Sequence, residues 1–316
     1  MFAHFKTIFI LILINKCLAS DWDYLEHGPD VWSEHYPLCG GERQSPINIK
    51  TACTIYQPFD QFILTPDHIT ENNFIAKYNG HTISSDTNNK NLALQGGNLT
   101  GTFYFDSFHL HWGPNHNVGS EHQINGLKSA GESHFVYRNA LTNERAVLSF
   151  LMETRLTKSF RSNNKNDFYD TKSESEWKKF FDVAQKLTHE NDSASIDLSL
   201  NSLMGNNRNE YWRYAGSLTT PPCTENVIWT IFKEPIVLLD YEFNSFRHEL
   251  FFESFRGPQP LYYRQVYRTF RDEIQSKIPD ENCCISTKSM GNSMIFNNKI
   301  NSIYFFAAFL ILSTIF

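Results

Sequence analysis

The chain has 316 residues, 41% of them hydrophobic and 20% charged, the balance of an ordinary globular protein. A formal charge of −6 and the lack of any basic run argue against a nucleic-acid footprint. With 27 Phe and 14 Tyr, the composition favours strands and aromatic packing over helix bundles.

At the N-terminus, Lys6 precedes the apolar run Ile8–Ile14, and Cys17-Leu18-Ala19 places small residues where a signal peptidase would cut. Residues 1–20 are expected to be a signal peptide. A buried first helix is the alternative, but an unrelated polar pattern begins at Asp21. From there to Arg271 no internal repeat and no Pro- or Gly-rich linker divides the sequence, so one domain is predicted over 21–278. Strand-like runs span Thr102–Trp112, Ser133–Tyr137, Ala146–Met152 and Val227–Phe232, with turns marked by Gly and Asn. The polar stretch Arg161–Glu176 reads as a surface insertion leading into a short helix, Trp177–Leu187. The predicted fold is mainly β (α+β): a single domain with a mostly antiparallel sheet and short peripheral helices.

Beyond the domain, 279–293 reads as a stalk. The small residues Gly291, Asn292 and Ser293, the polar spacer Asn297–Ser302 and the apolar end Ile303–Phe316 are the parts of a glycolipid (GPI) anchor signal. In that reading 294–316 are removed, and the mature protein sits on the outer leaflet of the plasma membrane. The apolar end is short for a bilayer core of about 30 Å, although a short spanning tail is the other reading. Asn98-Leu-Thr100 and Asn191-Asp-Ser193 are glycosylation acceptor patterns that fit the same secretory route. Once Cys17 leaves with the signal peptide, five cysteines remain: Cys39, Cys53, Cys223, Cys283 and Cys284. An odd number in a secreted chain predicts at least one bridge and one leftover thiol or intermolecular link.

Twelve histidines are too many to be a signal by number, so spacing has to choose. In Phe108-His109-Leu110-His111-Trp112, strand alternation puts both histidines on one face and the three large apolar residues on the other. Alone, such a pair also fits a solvated polar strand face. The second strand supplies the rest: in Glu132-Ser133-His134, a third histidine shares its face with a carboxylate, the usual partner for the other N–H of a metal-bound imidazole. Three neutral histidines with a fourth position open to water is the catalytic zinc pattern. Competing zinc patterns fit poorly, since His189-Glu190 is followed by Asn-Asp-Ser rather than a zincin helix. A cupin-like reading needs an acid nearer to His111 than Glu121, ten residues on.

Ordered matches then make the resemblance specific. Gly41-Glu-Arg-Gln-Ser-Pro-Ile-Asn-Ile49, Asn79-Gly-His81, Phe108-His-Leu-His-Trp-Gly113, Gly119-Ser-Glu-His122, Glu132-Ser-His134 and Tyr214-Ala-Gly-Ser-Leu-Thr-Thr-Pro-Pro222 resemble α-class carbonic anhydrases from about Trp22 to Phe270. The resemblance implies a central twisted, mainly antiparallel sheet, with a zinc ion on His109, His111 and His134 at the base of a conical cleft. The implied reaction interconverts carbon dioxide and water with bicarbonate and a proton.

By the same resemblance, Thr219 accepts the proton of the attacking hydroxide and donates its own to Glu121, an acceptor-only carboxylate that fixes the direction. The pair is expected to reject anions that cannot donate to Thr219. His81 is expected to be the proton shuttle, and Val136, Val147, Leu218, Thr219, Thr220 and Trp229 the substrate pocket, with the Thr219 N–H near a substrate oxygen. Glu132 and Ser107 support the ligands from behind. Many relatives carry glutamine at the latter position, and the shorter Ser107 holds His109 through water or not at all. His122 resembles a buried structural position, not a ligand. Cys39 and Cys223 match the bridge of extracellular members, and Cys53 is paired with Cys283 or Cys284. A catalytically silent relative acting as a binding domain is the reading from another class. It would be marked by a lost zinc histidine, and all three are present. Ester hydrolysis at the same site cannot be separated by residue inspection.

Overall fold

The computed structural model describes residues 22–156, 170–249 and 253–271. The expected signal peptide and stalk, Cys283, Cys284, the candidate anchor positions Gly291, Asn292 and Ser293, and the apolar end all lie outside the described residues. No described helix is long and apolar enough to cross a membrane.

A twelve-stranded sheet forms the body of the domain. Its principal strands are β1 (Asn72–Tyr78), β2 (Ile83–Asp86), β3 (Phe103–Trp112), β4 (Gly131–Arg138), β5 (Arg145–Thr154), β6 (Ser193–Leu198), β7 (Tyr211–Gly216) and β8 (Val227–Leu238). They lie in the order β6-β1-β2-β3-β4-β5-β8-β7, and the short strands Tyr267–Arg268 and Ile55–Tyr56 continue the β7 edge. Most neighbours are antiparallel; β5 and β8 run parallel, as do the two short edge strands.

The two faces of the sheet bury different material. Phe108, Leu110, Phe135, Tyr137, Leu148 and Phe150 belong to one large aromatic core. Val136, Val147, Trp229, Ile231, Trp212 and Tyr214 belong to a second, smaller cluster. β3 feeds the first core along its whole length only because its pairing shifts between Phe105 and Ser107. Phe103 and Phe105 face the core before the bulge, and Phe108, Leu110 and Trp112 after it. The extra residue at this bulge changes the parity of the alternation.

The helix α1 (Thr171–Ala184) closes the core side with Trp177, Phe180, Phe181 and Ala184, which recur at helical spacing. It begins inside the stretch expected to be a surface insertion, because Asp170 caps it by accepting from Ser173 N at 3.1 Å. Residues 157–169 of that stretch are outside the described ones. β8 likewise outruns its predicted end at Phe232. Lys233-Glu-Pro235 is accommodated where the β5–β8 register shifts between Phe150 and Met152, and pairing resumes at Ile236.

Cys39 and Cys223 are bridged, 184 positions apart in sequence. Closing a loop of that length is worth about 4–5 kcal/mol in the chain-entropy model, before any cost of geometry. Cys53 is also disulfide-bonded.

Phe108 is fully buried, with its ring 5.4 Å from those of Phe135 and Phe180 and 6.2 Å from Trp177. Phe108→Ala is expected to cost about 3–5 kcal/mol in urea denaturation. Tyr104→Ala, exposed on the other face of the same strand, should stay within about 0.5 kcal/mol. Equal costs would show that the core does not lie on the Phe108 face.

Candidate metal centre and active-site cleft

β3 and β4 pair with His109 opposite His134 and His111 opposite Glu132. Alternation turns all four side chains away from the aromatic core. His111 Nε2 lies 3.1 Å from His134 Nδ1, which lies 3.3 Å from His109 Nε2, and one nitrogen of each ring falls within 4.8 Å of the others. The opposite nitrogens of two rings are already engaged. His111 Nδ1 donates to the Ser254 carbonyl at 2.5 Å, and His134 Nε2 donates to Glu132 Oε1 at 2.7 Å. These bonds assign the tautomers and leave His111 Nε2 and His134 Nδ1 as lone pairs turned toward each other. Facing lone pairs repel unless a cation lies between them, so this donor set fits zinc. Burial pulls all three imidazoles below their ordinary pKa, His111 to about 4, which keeps them neutral and competent as ligands.

Glu132 ties this group together. Its Oε1 accepts from His134 Nε2, His122 Nδ1 (2.7 Å) and Ser149 Oγ (2.6 Å), while its Oε2 accepts from the backbone N–H groups of Glu121 and His122 at 2.9 and 2.8 Å. Burial on its own raises the carboxyl's pKa, but the two histidines and their hydrogen bonds hold it well below the usual range. His122, Glu132 and His134 also converge closely enough to suggest a metal group. The other nitrogen of His122 is bonded to the Tyr214 hydroxyl at 2.7 Å, so His122 is a structural member of the network.

Glu121 arrives on the segment Gly113–His122, which packs directly on the start of β4. A side chain at Gly119 would place its Cβ 1.8 Å from the Ala130 carbonyl oxygen, so only glycine permits the approach. The Glu121 carboxyl is fully buried; Oε1 accepts from Arg256 N at 2.9 Å, and Oε2 faces His111 Nε2 at 3.4 Å and His134 Nδ1 at 4.0 Å. Oε2 has no hydrogen bond of ordinary geometry. Burial pushes this carboxyl up to about 7, and the Thr219 hydroxyl beside it is one of the groups that pull it back down.

Thr219 sits in the turn between β7 and β8, folded on itself by Leu218 N to Thr224 O (3.0 Å) and Cys223 N to Thr220 O (2.9 Å). The disulfide leaves this turn at Cys223. Beside it, the register sets Ser107 opposite Val136, Val136 opposite Val147, and Val147 opposite Trp229, a transverse row one step along from the histidines. The Trp229 ring lies 4.8 Å from the His134 ring, and Leu218 packs on the same cluster.

A cavity of about 410 Å³ opens over His109 and His111 and is also lined by His81, Ser107, Thr220 and Trp22. His81 stacks on Trp22 with ring centroids 3.7 Å apart, in a turn where Asn79 Oδ1 accepts from the N–H groups of His81 and Thr82. Burial lowers its pKa, and Glu190 and Asp23 act in the opposite direction. Among the described residues no hydrogen bond joins Ser107 to His109. Asn98 and Asn191 occupy exposed turn positions with left-handed backbone, φ 60° and 74°.

Sequence reasoning missed Ser254 and Arg256, which touch the site through backbone atoms, and Ser149, whose hydroxyl is one small group in an apolar strand. A carbonyl or amide contribution leaves no residue signature, so nothing in the sequence could have found the first two.

Residues 27–270 match the profile of the eukaryotic-type carbonic anhydrases. The chain is 30% identical over 274 residues to carbonic anhydrase 7 of Homo sapiens, covering 79% of this chain and 97% of that protein. It is 30% identical over 279 residues to carbonic anhydrase 3 of Equus caballus, covering 80% and 100%. Against carbonic anhydrase 6 of Mus musculus the identity is 32% over 275 residues, covering 79% and 82%. With the histidine group, its carboxylate partners and the sheet that carries them agreeing with that match, the chain belongs to the eukaryotic-type (α) carbonic anhydrase family.

Proposed function

We propose that the protein is a zinc-dependent carbonic anhydrase of the cell surface, converting carbon dioxide and water to bicarbonate and a proton, and the reverse. What carries this reading is the meeting on one sheet face of three neutral histidine nitrogens, a buried carboxylate and an apolar row. His109 Nε2, His111 Nε2 and His134 Nδ1 would hold the ion. The chemistry zinc supplies in such a site is Lewis-acid activation of water, whose pKa falls to about 7.

The protein's own groups do the remaining work. Glu121, once ionised, can only accept, so the Thr219 hydroxyl donates to it and presents a lone pair to the attacking oxygen. The nucleophile is thereby aimed with its own lone pair toward the substrate carbon. Val136, Val147, Leu218 and Trp229 give the small apolar substrate a dry wall that needs no polar recognition, and Thr220 lies at its edge toward the cavity. The product proton leaves by His81, whose ordinary pKa near 6.5 suits exchange with a donor of about 7.

A bridge between Cys39 and Cys223 supports an oxidising compartment, and with the two terminal segments it favours a secreted, GPI-anchored protein with glycans at Asn98 and Asn191. The anchor would be attached among Gly291, Asn292 and Ser293.

The deciding assay is hydration of carbon dioxide by the purified ectodomain before and after zinc chelation; activity that survives complete removal of zinc would refute the proposal. His134→Ala should lose most bound zinc and reduce hydration to the uncatalysed level while keeping the sheet signal in circular dichroism. His81→Ala should lower kcat in weak buffer and regain it in concentrated imidazole, with kcat/KM little changed; equal kcat in weak buffer would mean protons leave by another route. On intact cells, a phospholipase that cleaves glycolipid anchors should release the activity, and full retention would favour a spanning tail.

A further inference from the structure

The segment Glu253–Gly257 has no regular secondary structure, yet it holds both halves of the site. The Ser254 carbonyl accepts from His111 Nδ1 at 2.5 Å, and two residues later the Arg256 amide donates to Glu121 Oε1 at 2.9 Å. Ser254 is fastened to the end of β3, its N–H donating to the Trp112 carbonyl and its Oγ accepting from Trp112 N, both at 3.0 Å. The next backbone–backbone hydrogen bond along the chain is Gln259 N to the Pro46 carbonyl at 2.8 Å, and among the described residues none fastens Arg256 itself.

Its side chain does. Arg256 is 2% exposed, and its guanidinium donates to Gln44 Oε1 (2.8 Å), the Ser45 carbonyl (3.0 Å) and the Cys39 carbonyl (2.8 Å). Gln44 Nε2 passes the connection on to the Cys223 carbonyl (3.2 Å) and Glu225 Oε1 (2.8 Å). One buried cation thus joins both ends of the disulfide and the Thr219 turn to the strap that carries the Ser254 carbonyl. Among the described residues no carboxylate forms a salt bridge with the Arg256 guanidinium, and Glu121 acts on it only through the longer-range attraction that partly offsets burial. If its task were to fill volume, an apolar side chain of similar size would do so at lower desolvation cost. A guanidinium instead supplies several directed donors in a fixed plane, which suits holding a backbone in one position.

We propose that Arg256 is a positioning residue. Through three bonds to the segment Cys39–Ser45 it fixes the strap 253–257, and so holds the Ser254 carbonyl on a metal ligand and its own amide on the acid that orients the nucleophile. The proposal rests on the zinc-enzyme reading above.

The test compares Arg256→Met, Arg256→Lys and the parent in three measurements: zinc affinity by chelator competition, kcat/KM at saturating zinc, and the ratio of inhibition by hydrosulfide, which can donate a proton to Thr219, to inhibition by thiocyanate, which cannot. For Arg256→Met, zinc affinity and kcat/KM should each fall about tenfold, within the range for lost support behind a ligand, and the hydrosulfide preference should shrink. Arg256→Lys, which keeps the charge and loses the planar fork, should recover part of each. A folded Arg256→Met with parental zinc affinity and parental anion preference would overturn the proposal. So would losses that only follow the unfolded fraction in a melting curve. If Arg256→Met does not fold, Gln44→Leu removes one acceptor of the guanidinium outside the site; it must move the same measurements in the same direction, and no change would also overturn the proposal. A parent without hydration activity sinks the enzyme reading, whereas the zinc-affinity comparison still judges the strap.

Discussion

Five hydrogen bonds end on the two carboxylate oxygens of Glu132, and most of the site hangs from them. A carboxylate without solvent persists as an anion only where donors replace the lost water, and here they come from two imidazoles, one hydroxyl and two backbone amides. Each bond has a second consequence. The one from His134 sets which nitrogen faces the cleft; the one from His122 leads on to Tyr214, Ser45 and the Ser217 end of the Thr219 turn. The two backbone amides fix the peptide that carries Glu121. His134, proposed as a metal ligand, and Glu121, proposed to orient the nucleophile, therefore share one anchor, and neither can shift without disturbing the other.

The sheet gives this anchor a rigid frame by keeping its two faces chemically separate. One side is filled by Phe, Trp and Leu side chains sealed by α1. The other carries the row Ser84, His109, His134 and Ser149, beside the row Ser107, Val136, Val147 and Trp229. The histidines and the apolar row thus stand one strand step apart on backbones fixed by ladder hydrogen bonds, the arrangement that holds a site to within fractions of an ångström. A neutral, quadrupolar substrate needs such a wall more than it needs donors, and neutral histidines would leave the local charge to a cation held between them and to Glu121.

The three histidines are unequally supported: His111 and His134 each have an outer partner, whereas among the described residues no hydrogen bond joins Ser107 to His109. His109 is also the least buried of the three and lines the open cavity shared with His81, where solvent can serve its outer ring nitrogen.

The alternation of Phe108-His-Leu-His-Trp112 determined by itself that His109 and His111 share a face of one strand, and Glu132-Ser-His134 that a third histidine shares a face with a carboxylate on another, because side chains in a strand must alternate; that the two strands pair in register was decided by the sheet. The ordered segments of family resemblance likewise marked Glu121, Thr219, His81 and the Cys39–Cys223 pair before any coordinates. Helix α1 was half legible: its apolar spacing from Trp177 onward could be read, but its first turn is polar on every side and only the Asp170 cap starts it. The bulge at Phe105–Ser107 and the continuation of β8 beyond Pro235 were decided by the partner strands, whose pairing absorbs an irregularity that a single sequence presents as an ending. Tertiary structure alone brought Ser254 and Arg256 to the site. They act through a carbonyl and an amide that every residue but proline possesses, so their selection depends on where the chain passes and not on which side chain it carries there.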